Sequence, residues 1–265
     1  MTRLAAPAVI DLLEREPLRN IVLLKHLEAF PDHTQVHHVA TDSGSGTLVL
    51  LEVAASAYDS RTYPAATYAA LISSDHPDLT RDLLDAVPPD VGVIFKLSSD
   101  GDRDVVAARY ALERTTSVLS FTARSSRFAH DDGVRLTVTP SAAMYAFFAS
   151  QDHDRAWLEP LLQSGRAFTC VIGRDDQPLA VCFAFENYRR VWEVGGVFTP
   201  PEHRGQGLAA RVVRTALAEL ERRHLVPRYQ VHEENVPSVR LAQSIGLDQF
   251  LQITHFLHAR GAEPR

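Results

Sequence analysis

Residues 199–209 read Thr199-Pro200-Pro201-Glu202-His203-Arg204-Gly205-Gln206-Gly207-Leu208-Ala209, and they join a strand pattern at 190–198 to a long amphipathic helix pattern at 205–224. Pro200 and Pro201 end the strand, because proline cannot donate to a strand ladder. Gly205 and Gly207 permit backbone conformations that side chains exclude. The first N–H groups of the next helix lack internal partners and carry partial positive charge. The segment therefore predicts a pyrophosphate cradle, to which Arg204 adds a charge-assisted contact.

Three other interpretations of this loop are possible. A dinucleotide-binding fingerprint places its first glycine directly after a strand and an acid about 20 residues later. Here Thr-Pro-Pro-Glu-His-Arg separates the strand from Gly205, which disfavours that fold. A nucleoside-triphosphate loop needs Gly-Lys-Ser/Thr, which does not occur in this segment. The third interpretation, an ordinary glycine-containing loop before a core helix, is not excluded by these residues alone.

A second motif follows downstream as Asn235-x-x-Ser238-x-x-Leu241-x-x-x-x-Gly246-Leu247. Together with the loop it resembles the GNAT N-acetyltransferase superfamily. That family's loop reads Arg/Gln-x-x-Gly-x-Gly/Ala, and its later block reads Asn-x-x-Ser-x-x-Leu-x-x-x-x-Gly-Phe. The loop is also similar to Leu-Pro-x-Tyr-Arg-Arg-Gln-Gly-Leu-Ala of the glycine N-acyltransferase-like branch. The resemblance covers residues 134–258, about half of the chain.

The resemblance implies acetyl-CoA, or another acyl-CoA, as co-substrate, and no metal. Backbone groups of Val197 and Phe198 would hold the pantetheine arm. Asn235, with Ser238 in the same block, would contact the cofactor near the end of the strand 229–232. The amides that would hold the pyrophosphate belong to His203, Arg204, Gly205, Gln206, Gly207, Leu208 and Ala209.

Direct attack by a primary amine, of a small molecule or an amino acid, requires a base that takes a proton from the ammonium form. Glu193 is the first candidate, since it lies beside the cleft between apolar residues expected to favour its protonated form. Its spacing to Arg204 also resembles the base glutamate of glycine N-acyltransferase-like members. His232, at the tip of the neighbouring strand, is the second candidate.

The protonation of the departing thiolate is left open by the sequence. Many family members place a tyrosine after the leucine of the later block as the acid, but Ala242 stands there in this chain. Tyr229, water, or an unprotonated thiolate are the alternatives. A catalytically silent acyl-CoA-binding or regulatory protein is the alternative function.

Strand and helix patterns alternate along the chain, which predicts an α/β fold with mixed sheets. Residues 1–124 and 134–265 show the same order of elements, so we expect tandem GNAT-like domains joined by the polar segment 124–133. The N-terminal copy is expected to be degenerate and not to bind CoA. Its matching join, Ser73-Ser74-Asp75-His76-Pro77-Asp78, has no glycine pair and carries acids. The C-terminal copy is the expected CoA-binding catalytic domain.

The composition indicates which kinds of partner and which cellular location to expect. A net charge of −6 indicates neither a nucleic-acid partner nor an anionic membrane surface. No apolar run approaches the about 20 residues of a membrane span, and charges in residues 1–16 argue against a signal peptide. Cys170 and Cys182 lie in apolar strands, which indicates buried reduced thiols. We expect a cytoplasmic monomer or homodimer whose partner is a small-molecule amine.

Overall fold

The computed structural model describes residues 6–124 and 128–262. Two compact units divide the chain. Unit 1 contains the chain up to Val118 together with the segment that begins at Leu251, and unit 2 is Leu119–Phe250. The observed division differs from the predicted domains 1–124 and 134–265, because the last strand belongs to unit 1.

Unit 1 combines short helices with a mixed sheet. Its helices are α1 (Ala6–Leu13), α2 (Ile21–Ala29), α3 (Ala57–Thr62), α4 (Pro77–Leu83) and α5 (Asp100–Ala107). Its strands are β1 (Thr34–Thr41), β2 (Gly44–Glu52), β3 (Tyr68–Ser74), β4 (Val93–Leu97), the first part of β5 (Glu113–Thr122) and most of β11 (Asp248–His258). The strand order is β1-β2-β3-β4-β11-β5, in which β3 and β4 are parallel.

Two features of unit 1 depart from the sequence-based prediction. β11 was expected to close the C-terminal domain, but residues from Thr254 to His258 pair antiparallel with β4. An alternating pattern of apolar and polar residues predicts a strand at a sheet, but it does not determine which strand pairs with it. α3 was not predicted, since six residues carry too little periodicity; its N-terminus is capped by Ser56 Oγ, which accepts the Asp59 N–H at 3.2 Å.

Unit 2 is a mixed sheet with helices on both faces. Its helices are α6 (Ala142–Ala149), α7 (Arg155–Gln163), α8 (Leu208–Arg222) and α9 (Val236–Ser244). Its strands are β6 (Arg135–Thr137), β7 (Ala167–Arg174), β8 (Gln177–Tyr188), β9 (Val191–Phe198) and β10 (Val226–His232). From the end of β5 the order is β5-β10-β9-β8-β7-β6. β9 and β10 are parallel, whereas β8 pairs antiparallel with β9 and with β7, and β7 pairs antiparallel with β6.

The two faces of this sheet have separate cores. α8 packs on one face, where its buried stripe meets Trp192, Val194 and Tyr229. α6 and α7 cover the other face, around Phe148 and Phe183. Because successive strand residues point to opposite faces, the residue between Trp192 and Val194 faces α6 and α7 rather than α8.

The predicted linker 124–133 is described in part, since residues 125–127 lie outside the described chain. Its C-terminal end packs within unit 2. Arg211 of α8 donates to Asp131 through Nε at 2.6 Å and Nη2 at 2.8 Å. The segment around Asp131 is therefore fixed to α8.

Several composition-based expectations can be compared with the described residues. Cys170 and Cys182 are buried free thiols, as the sequence predicts. The structure also places them opposite each other across β7 and β8. Burial raises the pKa of the Cys182 thiol, which keeps it protonated. In the described part of the chain, no helix has the length and apolarity needed to cross a membrane.

Candidate active site

A cleft opens where β9 and β10 separate. The two strands pair in parallel from Val191 and Val226 through Val194 and Tyr229. Beyond that register, the described residues 195–198 of β9 and 230–232 of β10 are not paired with each other. Backbone groups on these facing edges are therefore left for another hydrogen-bonding partner.

A β-bulge marks the start of the cleft. The β8–β9 register shifts between Val181 and Phe183, and Gly196 adopts a left-handed φ of +59°. A Cβ built on Gly196 would lie 2.2 Å from Cε1 of Phe183, so a side chain does not fit there. The bulge bends the strand, and the next two residues, Val197 and Phe198, line a cavity.

This cavity has a volume of about 630 Å³ and lies entirely in unit 2. The predicted cofactor residues that line it are Val197, Phe198, His203, Arg204, Gly205, Gly207, Leu208, Ala209, Asn235 and Ser238. Gln206 is exposed and is not among the described lining residues. The lining residues that sequence analysis missed are Gln151, Thr199, Ala210, Pro237, Arg240, Leu241 and Ser244.

Main-chain amides form one wall of this cavity. α8 starts at Leu208, and Gly205 and Gly207 before it have left-handed φ values of +75° and +74°. Within the described chain, the amides of residues 205–210 have no hydrogen-bond acceptor. The predicted set began at His203, but the N–H groups of His203 and Arg204 donate to the carbonyls of Pro200 and Pro201 in a short 3₁₀ turn. The available amides therefore begin two residues later than expected.

The residues present fit a diphosphate-bearing group. Thr199 Oγ1 lines the cavity and is buried without a hydrogen-bond partner in the described chain. Cβ atoms built on Gly205 and Gly207 would meet nothing within 4 Å, so the loop borders open space. Arg240 also lines the cavity and makes no ion pair with any described residue. Unpartnered amides, an unpartnered hydroxyl and an unpaired guanidinium are donors suited to phosphate oxygens.

α9 contributes a second wall. Asn235 Oδ1 caps this helix by accepting the Ser238 N–H at 3.2 Å. The hydroxyl of Tyr229 lies 2.6 Å from Ser238 Oγ. Burial raises the pKa of Tyr229, so its phenol stays protonated behind the cavity wall. Leu241 lines the cavity, whereas Ala242 is buried in the core beneath it.

Residues 138–247 match the model of the Acetyltransferase (GNAT) family, and this segment contains the cavity, the glycine loop and α9. This segment therefore resembles the GNAT acetyltransferases. GNAT enzymes transfer an acyl group from acetyl-CoA to an amine, so acetyl-CoA is the co-substrate that the match implies. The glycine N-acyltransferase-like branch stays a prediction.

Solved structures of GNAT proteins share the fold. A GNAT-family acetyltransferase from Colwellia psychrerythraea has a TM-score of 0.56 at 13% identity, with 92% of this chain and 97% of that chain covered. A GCN5-related N-acetyltransferase from Kribbella flavida has a TM-score of 0.54 at 16% identity, with coverage of 92% and 96%. A GCN5-related N-acetyltransferase from Sphaerobacter thermophilus has a TM-score of 0.52 at 12% identity, with 83% of this chain and 78% of that chain covered. These identities establish similarity of fold alone. No curated protein matches the sequence significantly.

In the matched segment, Glu193 has a different environment from the apolar one expected. Arg228 is its register partner on β10, and Nη1 of Arg228 donates to Glu193 Oε2 at 2.9 Å. Asn187 Nδ2 donates to the same oxygen at 2.9 Å. The apolar neighbours Trp192 and Val194 point to the opposite face of the sheet, into the α8 core. Glu193 is therefore an ion-paired carboxylate, and it lies outside the described lining of the cavity.

His232 ends β10 at the position that the sequence predicts and is exposed. Its carbonyl accepts the Asn235 N–H at 2.9 Å, which links the strand to the cap of α9. Strand alternation places its side chain on the face of Arg228. Like Glu193, it is not among the described residues that line the cavity.

The turn between α6 and α7 contributes residues to this site, and the sequence analysis did not select them. Gln151 of this turn lines the cavity. His153, two residues later, packs its ring against Phe183, whose ring contacts the bulge of β9. The sequence carries no motif that connects residues 151–153 to the glycine loop, so only the fold reveals this proximity.

Proposed function

We propose that the matched segment is a GNAT domain that transfers an acetyl or other short acyl group from acyl-CoA to a primary amine of a small molecule or amino acid. The observation that carries the proposal is the row of unpartnered amides at residues 205–210. They open from the positive end of α8 onto a cavity that also holds Thr199 Oγ1 and Arg240. A dipole, free N–H groups and a guanidinium together favour a dianionic diphosphate.

The proposed cofactor site extends from this cradle along β9. The amides of residues 205–210 would hold the pyrophosphate, with Arg204 and Arg240 beside it. The unpaired edge of residues 195–198 would hydrogen-bond the pantetheine amides, since those backbone groups have no partner in β10. Asn235 and Ser238 would flank the same arm from α9. Bound acyl-CoA would supply a thioester, whose carbonyl carbon is the electrophile.

Acyl transfer would form a bond between the amine nitrogen and the acyl carbon and break the C–S bond. Starting from its ammonium form, the nitrogen loses two protons, one to a base before the attack and one as the amide forms. The departing thiolate takes up one proton and leaves as the thiol of CoA, so one proton remains on the base. We propose that Glu193 attracts the incoming ammonium group, because Arg228 and Asn187 both bind Oε2 and no described group bonds Oε1. His232 is the second proposed base; it is exposed at the end of β10, on the sheet face that carries Arg228.

Tyr229 is the proposed proton source for the thiolate. Its hydroxyl is hydrogen-bonded to Ser238 Oγ, and Ser238 lines the cavity. The raised pKa of Tyr229 keeps the proton on the phenol, and the serine hydroxyl offers a path from that phenol to the cavity. Tyr229 and Ser238 would together replace the acid tyrosine that many family members have at the position of Ala242.

We propose that unit 1 is a degenerate copy that does not bind CoA. At its join between β3 and α4, Asp75 Oδ2 accepts the Ser45 N–H at 2.8 Å, and Asp75 also pairs with Arg19 at 2.9 Å. Ser74 Oγ lies within hydrogen-bonding distance of Thr80 and Asp102. If this join corresponds to the glycine loop of unit 2, its carboxylates would repel a diphosphate.

Free thiol release tests the proposed function. The full chain is incubated with acetyl-CoA and a panel of primary amines and amino acids, and each amine is examined for an added acetyl mass. We expect thiol release that depends on a particular amine, and matching mass gain. Binding of acetyl-CoA without release across a broad panel would instead support the catalytically silent acyl-CoA-binding alternative.

A further inference from the structure

The turn after α6 holds His153 in a fixed backbone position. The His153 N–H donates to the Phe148 carbonyl at 3.0 Å, and the Asp152 N–H donates to the Ala149 carbonyl at 3.1 Å. Asp152 has a left-handed φ of +61°. These two bonds around a left-handed residue form a Schellman cap, which ends α6 in one geometry. Gln151, just before it, lines the cofactor cavity.

The imidazole of His153 lies one ring away from the bulge of β9. Its centroid is 4.9 Å from that of Phe183 at an angle of 87°, and 6.1 Å from that of Trp157 at 30°. Phe183 is fully buried, and its ring is in contact distance of Gly195 and Gly196. The imidazole is therefore beside the point where β9 and β10 separate.

The ring is half-buried and has no hydrogen bond to any described residue. Burial lowers the pKa of His153, against the opposing effects of Glu193 on β9 and Asp152 on its own turn. α7 and β8, which pack against the ring, contact it through Trp157 and Phe183. At neutral pH the ring is thus mainly neutral and has an unshared electron pair on one nitrogen.

Glu193 is less suited than His153 to accept a proton. The side chain of Arg228 is only 1% exposed, and Glu193 is the carboxylate that balances its charge. Protonation of Glu193 would leave a buried guanidinium without a counter-charge, which is strongly unfavourable. Burial opposes protonation of His153, but the negative charge of Glu193 favours it, so the imidazolium would have a counter-charge.

We propose that His153 is the base that takes the proton from the ammonium form of the acceptor, and that Glu193 is the fixed anion opposite it. The N–H bond breaks, its electron pair stays on the amine nitrogen, and the proton goes to a ring nitrogen of His153. Glu193 attracts the ammonium group and then stabilises the imidazolium. This inference rests on the proposed function.

The pH dependence of kcat/KM tests the assignment, with an acceptor that the unaltered chain acetylates. We expect His153→Gln to lower kcat about 100-fold, the size of a lost general base, with unchanged affinity for acetyl-CoA and melting temperature. Its profile should also lack the acidic limb. For His153→Ala, added imidazole should restore part of the rate. The control His33→Gln changes an exposed histidine of unit 1 and should behave like the unaltered chain.

An NMR titration of the free protein gives a readout independent of turnover. The pKa of His153 should lie below its usual value of about 6.5, and Glu193→Gln should lower it further. The inference is overturned if His153→Gln keeps kcat within threefold while the unaltered chain turns over. It is also overturned if Glu193→Gln leaves the His153 titration unmoved. A chain that binds acetyl-CoA but acetylates no amine removes the proposed function, and the inference with it.

Discussion

Arg228 Nη1 and Glu193 Oε2 lie 2.9 Å apart, on register partners of β10 and β9 next to the last pair before the strands separate. The guanidinium also donates to Ser120 Oγ on β5, at 3.1 Å through Nη2. One buried cation thus connects three neighbouring strands of unit 2 below the cleft. Because a buried charge is stable only with its partner, Arg228 depends on Glu193 for its stability in the fold.

Glu193→Ala should lower the free energy of unfolding by about 3 kcal/mol, since it leaves Arg228 buried and uncompensated. The matched control is Glu186→Ala on β8. Glu186 pairs with Arg166, whose side chain is half exposed, so its loss should change stability by at most about 1 kcal/mol. Urea unfolding of both variants measures the contrast. Equal effects would show that the Arg228 pair is no more important for stability than a surface pair.

Glu193→Gln should lose most turnover yet keep the affinity for acetyl-CoA, because Glu193 lies outside the cavity lining. The amide is nearly the same size and can still accept from Arg228, but it carries no charge. Rate measurements between pH 5 and 9, alongside calorimetric titration with CoA, separate the two effects. Rates equal to those of the unaltered chain at every pH would remove Glu193 from the mechanism.

Gly207→Asp should abolish CoA binding and leave the fold intact. Gly207 has a φ of +74°, which aspartate tolerates better than most residues, and its Cβ would enter open space. The added carboxylate would stand where the diphosphate is expected. Gly207→Asn is the neutral control of the same shape and should bind more weakly than the unaltered chain but measurably. Calorimetry with CoA decides, and normal binding by the Asp variant would contradict the loop assignment.

Arg240→Ala should weaken CoA binding about tenfold, since one charge-assisted hydrogen bond contributes about 1.5 kcal/mol. The loss should shrink at high salt, because the contact is made by an exposed guanidinium. Arg174→Ala is the control, an exposed arginine at the end of β7, far along the chain from the glycine loop. An unchanged dissociation constant for Arg240→Ala would place the phosphates elsewhere.

Glu219 on α8 should make unit 2 sensitive to acid. Hydrogen bonds from Arg222 and Arg223, opposed by burial, lower the pKa of Glu219 from 4.5 to about 2. Because the folded state prefers the charged form, its stabilisation is complete above pH 4.5 and is lost as the pH falls towards 2. Glu219→Gln should cost about 1 kcal/mol at pH 7, a value limited by the solvent exposure of Arg222. Urea unfolding at several pH values should show this difference disappearing in acid; a difference that persists at pH 2 would refute the assignment.

The local elements of the site were predictable from the sequence. Two prolines, two glycines and an apolar helix stripe act within a few residues, so 199–209 predicts the strand end, the loop and α8 directly. The Asn235 cap is similarly local, since its side chain bonds the amide three residues later. The exact set of available amides was not predictable, because the 3₁₀ turn at Pro201–His203 uses two of them.

The sequence by itself determined the α/β class, the glycine loop before α8 and the positions of Glu193 and His232 on their strands. Only the tertiary structure decided what Glu193 faces, because its partner Arg228 is brought alongside by the register of two strands distant in the chain. It also assigned β11 to unit 1 and brought the turn with His153 beside the bulge of β9. Periodicity specifies which face of an element is buried, but pairing and packing select the neighbour, and chemistry at this site depends on the neighbour.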